Sequence, residues 1–168
     1  PWITNYWGNC NKQNKKNFRT RCSAHIQYHD ISILIDTSPD IKIQFKKNKI
    51  NDVDAVIYTH EHADQTFGIF ELRPFYWKNK KKINIYGSKK TIKVLMNKFD
   101  FCFKEKQGYV PILKEHVIKN NFSIKKNNNK IRIKSFETQH GQTQSTAYII
   151  DKIAYLSDCS LVYKKDIK

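Results

Sequence analysis

A chain of 168 residues is long enough to bury one real core, and its net charge of +16 favours an anionic substrate or partner, because a basic field concentrates phosphates. Only four residues are arginine and five are glycine, while lysine, asparagine and isoleucine abound. That trio is what an A+T-rich coding sequence supplies by default, so part of the charge is codon bias. No apolar run approaches the roughly 20 residues needed to cross a bilayer. The four cysteines form no C-x-x-C pair, which speaks against a zinc ribbon or a disulfide framework and for reduced thiols in a cytoplasmic protein.

In chain order, residues 5–21 form a polar loop without periodicity. The runs CSAHIQYH and ISILID, separated by a short turn at Asp30, read as a β-hairpin. Ser38-Pro39-Asp40 suits a helix start. The following IKIQFKKNKI is compatible with helix or strand, and we favour a short helix. VDAVIYTH reads as a buried strand that delivers its C-terminal end to a loop. Residues 66–77 are aromatic-rich and partly helical. KINIYGS is a strand, and SKKTIKVLMNKF carries helical spacing at Ile92, Leu95, Met96 and Phe99, with Ser88 as its cap. Two weak strands follow in 112–124, then the strand KIRIKSFE, then TAYIID and KIAYLSD paired across Asp151-Lys152. Strands alternating with helices predict an α/β or α+β layered domain. A chain that opens on Pro1 and stops at Lys168, straight after a strand-like run, leads us to expect a single domain over 1–168, truncated at both termini.

The segment Thr59-His60-Glu61-His62-Ala63-Asp64-Gln65 packs two imidazoles and a carboxylate into five positions directly after an apolar strand. Imidazole suits zinc, iron or manganese, and the carboxylate adds a harder ligand. On a continuing strand His60, His62 and Asp64 would share one face; on a tight loop they can converge on metal. Glu61 points away on an extended chain and is expected to be solvated.

Thr59-His60-Glu61-His62-Ala63-Asp64 resembles the T-H-x-H-x-D-H signature of the metallo-β-lactamase superfamily. Ile33-Leu34-Ile35-Asp36 is similar to that family's early strand ending in Asp, His140-Gly141 to its isolated third histidine, and Leu156-Ser157-Asp158 to its bridging aspartate. The nearest likeness is to the phosphodiesterase branch with the PhnP-type cyclic phosphate phosphodiesterases. It is carried by Asn17-Phe18-Arg19-Thr20-Arg21 and by Gly68-Ile69-Phe70-Glu71-Leu72-Arg73.

The resemblance implies an αβ/βα four-layer sandwich, here incomplete. It implies two divalent metal ions, zinc or manganese, held by His60, His62, His140, Asp64 and Asp158. Asp158 would bridge the two, and Asp64 would be the catalytic residue that orients the attacking hydroxide. It further implies a hydrolase that cleaves a phosphodiester with a metal-bound hydroxide, the substrate being small and anionic, such as a cyclic ribose phosphate. Gln65 departs from the signature's second-site histidine, which puts the second metal in doubt. No histidine follows His140, and Cys10 alone stands where the phosphodiesterase has a cysteine cluster, so no structural zinc is expected.

Arg73, with Arg21, is a candidate phosphate-binding residue, because a guanidinium fork matches phosphate in a way an ammonium does not. Asp36 is read as supporting the metal loop through hydrogen bonds. His25, His29 and His116 are read as ordinary residues, Trp2, Trp7 and Trp77 as core, and Cys159 as buried. The rival readings are an RNA-processing nuclease of the same superfamily and a basic RNA-binding domain without catalysis, whose lysine runs 78–82 and 125–130 would carry the binding. Thioester or lactam cleavage finds no special support.

Overall fold

The computed structural model describes residues 4–163. Residues 4–23 are irregular apart from a 3-10 turn at Lys15–Asn17. The hairpin is present as β1 (Ala24–Tyr28) and β2 (Ile31–Ile35), antiparallel, turning through His29 at φ 50°. Helix α1 (Ile41–Asn48) follows and stops where Lys49 adopts the left-handed conformation. Strand β3 (Ala55–Ile57) leads into a short helix, α2 (Ala63–Thr66), a 3-10 turn at Ile69–Leu72 and helix α3 (Arg73–Asn79). Strand β4 (Ile83–Gly87) precedes α4 (Lys89–Lys98), whose Ser88 cap accepts a hydrogen bond from the Thr91 backbone as expected, and then α5 (Asp100–Phe103). The remaining strands are β5 (Leu113–Val117), β6 (Asn121–Lys126), β7 (Asn129–His140), β8 (Thr143–Ile150) and β9 (Ile153–Tyr155).

Two sheets result. The first runs β1-β2-β3-β4-β5, with every pair parallel except the opening hairpin; the second runs β6-β7-β8-β9 and is antiparallel throughout. The two weak strands expected in 112–124 therefore part company, β5 closing one sheet and β6 opening the other.

Side-chain alternation in β2 and β3 builds both cores, since successive residues point to opposite faces. Ile31, Ile33, Ile35, Ala55 and Ile57 face the second sheet and meet Ile124, Ile131, Ile133, Tyr148 and Ile150. Leu34 and Val56 face the helices and meet Ile41, Ile69, Leu72, Phe75, Ile92, Leu95 and Phe103. Each of these large side chains contributes on the order of 1.5–3 kcal/mol by leaving water. Helix, sheet and sheet thus form three successive layers. Along β7 the buried Ile131, Ile133 and Ser135 alternate with exposed Arg132 and Lys134, so the outer face of the second sheet is basic.

Four expectations need correction. Trp7 belongs to neither core, being half-buried in the irregular segment against the exposed Phe18. Trp77 is 44% exposed, because it lies on the outer side of α3 while Phe75 takes the inward position. Cys159 is exposed in the loop after β9. Glu61 is not solvated: its side chain is 12% exposed and paired with Lys90 at 2.7 Å. Trp2 and the two chain ends lie outside the described residues. Among the described residues no helix is long and apolar enough to cross a membrane.

Candidate metal centre

The sheets are tied together at the C-terminal end of β3. Tyr148, buried in β8, donates its hydroxyl to the Tyr58 carbonyl at 2.6 Å, and the Thr146 N–H donates to the Thr59 carbonyl at 2.8 Å. Residues 58–62 are thereby fixed against both sheets as they leave β3. The turn beyond them is held from β2's end: the Thr37 N–H donates to the Gln65 carbonyl, and the Gly68 N–H to the Thr37 carbonyl, each at 2.8 Å. Gly68 is required here by close approach, since a Cβ at that position would collide with the Ser38 carbonyl oxygen.

The frame brings His60 and His62 from the β3 loop together with His140 from the end of β7. Their ligand-capable nitrogens all lie within 4.8 Å of one another. His140 Nε2 and His62 Nδ1 are 3.3 Å apart, close to the roughly 3.3 Å edge of a tetrahedron whose corners lie 2.0–2.1 Å from a zinc ion. His60 is fully buried, and its Nε2 has no hydrogen-bond partner. A buried, unpartnered nitrogen is costly in a folded protein, and a cation shared with the other two imidazoles is the partner this atom lacks.

The other nitrogen of His60 explains its orientation. Nδ1 lies 3.0 Å from the Thr59 hydroxyl, which donates to Asp36 Oδ2 at 2.8 Å, while the Thr59 backbone N–H donates to Asp36 Oδ1 at 2.8 Å. When Asp36 is ionised and takes the single hydroxyl proton, the hydroxyl accepts from Nδ1–H, which leaves the Nε2 lone pair facing the cluster. Asp36 supports the loop in this way from a fully buried position. Burial pushes its carboxyl up to about 8, and the nearby Asp158 and Asp64 push in the same direction against the two Thr59 bonds. Burial also lowers the pKa of His60, and the adjacent His62 adds to this, keeping the ring neutral as a ligand must be. Three imidazoles whose nitrogens converge on one point make a donor set that fits one divalent cation.

Asp158 Oδ2 stands 3.6 Å from His60 Nε2. Asp64, on the exposed first turn of α2, is joined to Asp158 through the buried Gln65 amide, whose Nε2 lies 3.0 Å from Asp64 Oδ2 and 3.3 Å from Asp158 Oδ2. The cluster that meets metal-ligand spacing among the described residues comprises the three histidines.

Arg21 and Arg73 contact other groups. Arg21 pairs with Asp40 at 3.0 Å. Arg73 is set among rings, its guanidinium 5.3 Å from the Tyr109 centroid, 5.4 Å from Phe70 and 5.8 Å from Trp77. Sequence reasoning overlooked Glu61, which clamps the metal loop to the start of α4 through Lys90 and Thr91. It also overlooked Cys22, whose Sγ contacts Gln65. Neither position carries a local signal, because each partner is distant in sequence.

Residues 32–168 match the model of the β-lactamase superfamily domain, and the chain belongs to that family. Among solved structures it is similar to a diphosphatase of the PhnP family, with 27% identity, a TM-score of 0.76, and coverage of 89% of this chain and 56% of that one. It is similar in fold to the short form of human tRNase Z, at 18% identity and a TM-score of 0.60, covering 87% of this chain and 66% of the other. An octanoyltransferase of Porphyromonas gingivalis (strain ATCC BAA-308 / W83) is 27% identical over 163 residues, 95% of this chain but 32% of that protein. The chain therefore spans about half of the diphosphatase and about a third of the octanoyltransferase.

Proposed function

We propose that this chain carries the metal site of a hydrolase that cleaves a phosphodiester in a small anionic substrate, such as a cyclic ribose phosphate. The observation that carries this reading is the convergence of His60 Nε2, His62 Nδ1 and His140 Nε2, with the buried His60 nitrogen otherwise unpartnered. A divalent cation held by these nitrogens, zinc or manganese, supplies Lewis-acid polarisation and a water of lowered pKa.

The protein's own contribution is positional. The Asp36–Thr59 pair supports His60, Glu61 and Lys90 fix the loop, and Asp64, exposed two residues after His62, would orient the attacking hydroxide. Support for a phosphate substrate comes from the net charge of +16 and the likeness to the PhnP-family diphosphatase. Octanoyl transfer is not carried over, because two thirds of the protein so named lies beyond the match.

A nucleic acid substrate is the second reading, and one observation favours it. Arg73 is held by three aromatic rings, with no hydrogen bond or ion pair to any described residue, so its donors remain open to a phosphate. Rings and guanidinium together suit unpaired bases and their backbone.

The test is hydrolysis of a chromogenic phosphodiester by the complete protein with manganese and then zinc, beside Asp64→Ala. Metal-dependent turnover lost in the variant supports phosphodiester cleavage. Bound metal without turnover overturns it for simple diesters and moves the weight to RNA. Binding that falls steeply with salt, with no turnover of either substrate, favours a binding domain.

A further inference from the structure

We propose that the Gln65 side-chain amide takes the place of a second cation, so that the folded protein binds one divalent metal ion per chain, at His60, His62 and His140. The inference rests on the metal-binding part of the proposed function and specifies its stoichiometry.

Gln65 is fully buried, and every polar atom of its side chain is engaged. Nε2 lies 3.0 Å from Asp64 Oδ2, 3.3 Å from Asp158 Oδ2 and 3.1 Å from Cys22 Sγ; Oε1 lies 3.4 Å from the same Cys22 Sγ. The orientation of the amide follows from its partners. Ionised carboxylates only accept, so the end facing Asp64 and Asp158 is the NH2 group, and the thiol is left to donate to Oε1.

An amide nitrogen has no lone pair to offer a metal, because that pair is delocalised into the carbonyl. Its two hydrogens carry partial positive charge and are directed at the two carboxylates that a second metal ion would need. The group is therefore a neutral stand-in for a cation: it bridges Asp64 to Asp158, offsets their repulsion and brings no ligand.

Admitting a metal between the carboxylates would mean ejecting the NH2 group or turning the amide over. Ejection leaves a buried donor without an acceptor, which is strongly disfavoured. Turning it over points Oε1 at two carboxylates in the absence of metal and leaves the NH2 against a thiol, a weak acceptor. The surroundings of Gln65 thus resist both routes, whereas nothing resists occupation of the histidine cluster, whose His60 Nε2 lacks a partner. Asp64 then serves as a carboxylate fixed by an amide, close to one metal ion and free of direct ligation.

The experiment is cobalt(II) titration of the complete, chelator-stripped protein, followed by absorbance in the visible region and by elemental analysis after gel filtration. One equivalent of tightly bound metal is expected for the wild type. Gln65→His is expected to bind two, since an imidazole restores a lone pair beside Asp64 and Asp158; Gln65→Glu serves the same purpose should the histidine variant fail to fold. Two tight equivalents in the wild type would overturn the inference while leaving the metal site intact. Retention of a single equivalent in both folded variants would also overturn it, by showing that the amide is not what excludes the second ion. No bound metal at all would overturn the metal site itself together with this inference.

Discussion

Asp36 grips Thr59 twice, one carboxylate oxygen taking the backbone N–H and the other the hydroxyl, each at 2.8 Å. Because Thr59 has one hydroxyl proton, its donation to Asp36, once that carboxyl is ionised above about pH 8, decides which nitrogen of His60 carries hydrogen. Asp36→Asn reverses that polarity. The new NH2 donates to the Thr59 oxygen, the hydroxyl proton turns to His60 Nδ1, and the ring proton moves to Nε2, where it blocks metal. The expected outcome is a 10- to 100-fold loss of metal affinity, the usual range for such outer ligand supports, with the circular dichroism spectrum retained. Competition with a chromogenic chelator above pH 8, where Asp36 is ionised, measures it, and unchanged affinity there would remove the tautomer argument.

The bond from Tyr148 to the Tyr58 carbonyl joins the two sheets where both residues are fully buried. Tyr148→Phe deletes the donor and leaves a buried carbonyl unsatisfied, a loss of about 1–3 kcal/mol. Urea unfolding should show a lower midpoint with an unchanged slope. A loss of less than about 0.5 kcal/mol, the size of an ordinary surface substitution, would mean that the sheets are aligned by packing alone.

Much of this architecture is written locally in the chain. The hairpin at 24–35, α1 and α4 follow from alternation, helical spacing and the Ser88 cap. The H-x-H pair stands out by its chemistry directly after a strand, and His140, which joins it, was marked by the family resemblance. What failed to show depends on distance in sequence. Periodicity marks β5 and β6 as strands but carries no information on which sheet each joins. The four residues of α5 are too few to display a period. Glu61 looked like a free loop carboxylate because its partner, Lys90, arrives from another helix. Gln65 could be seen to break a signature, but its role emerges only when Asp158 and Cys22 are folded around it.

Gly68 offers a stringent test of how tightly the metal turn is seated. Its backbone conformation is ordinary, at φ −84°, so the demand is purely steric: the Ser38 carbonyl oxygen and the Ile41 side chain occupy the space a methyl group would take. Gly68→Ala should cost at least the roughly 1–3 kcal/mol typical of overpacking, more because backbone must yield. It should also weaken metal binding, since Gly68 and Gln65 are bonded to the same residue, Thr37. Thermal unfolding with and without zinc reads both effects. Wild-type stability would show that the turn can shift away from β2.

Metal binding should appear directly as stability, because the three histidines converge only in the folded chain: His60 and His62 come from the loop after β3 of one sheet and His140 from β7 of the other. A ligand that binds the folded state alone adds RT ln(1 + [L]/Kd), about 2.7 kcal/mol at a hundredfold excess over Kd. For a domain of this size that corresponds to a rise in Tm of roughly 5–10 °C. His62 is the informative position to remove, since it is exposed and its loss creates no cavity. His62→Ala should keep a Tm near that of the metal-free wild type and lose most of the increment on adding zinc. His25, hydrogen-bonded to Ser32 away from the cluster, supplies the control, and His25→Gln should retain the increment. Equal zinc stabilisation of His62→Ala and the wild type would place the metal elsewhere and separate the histidine cluster from it.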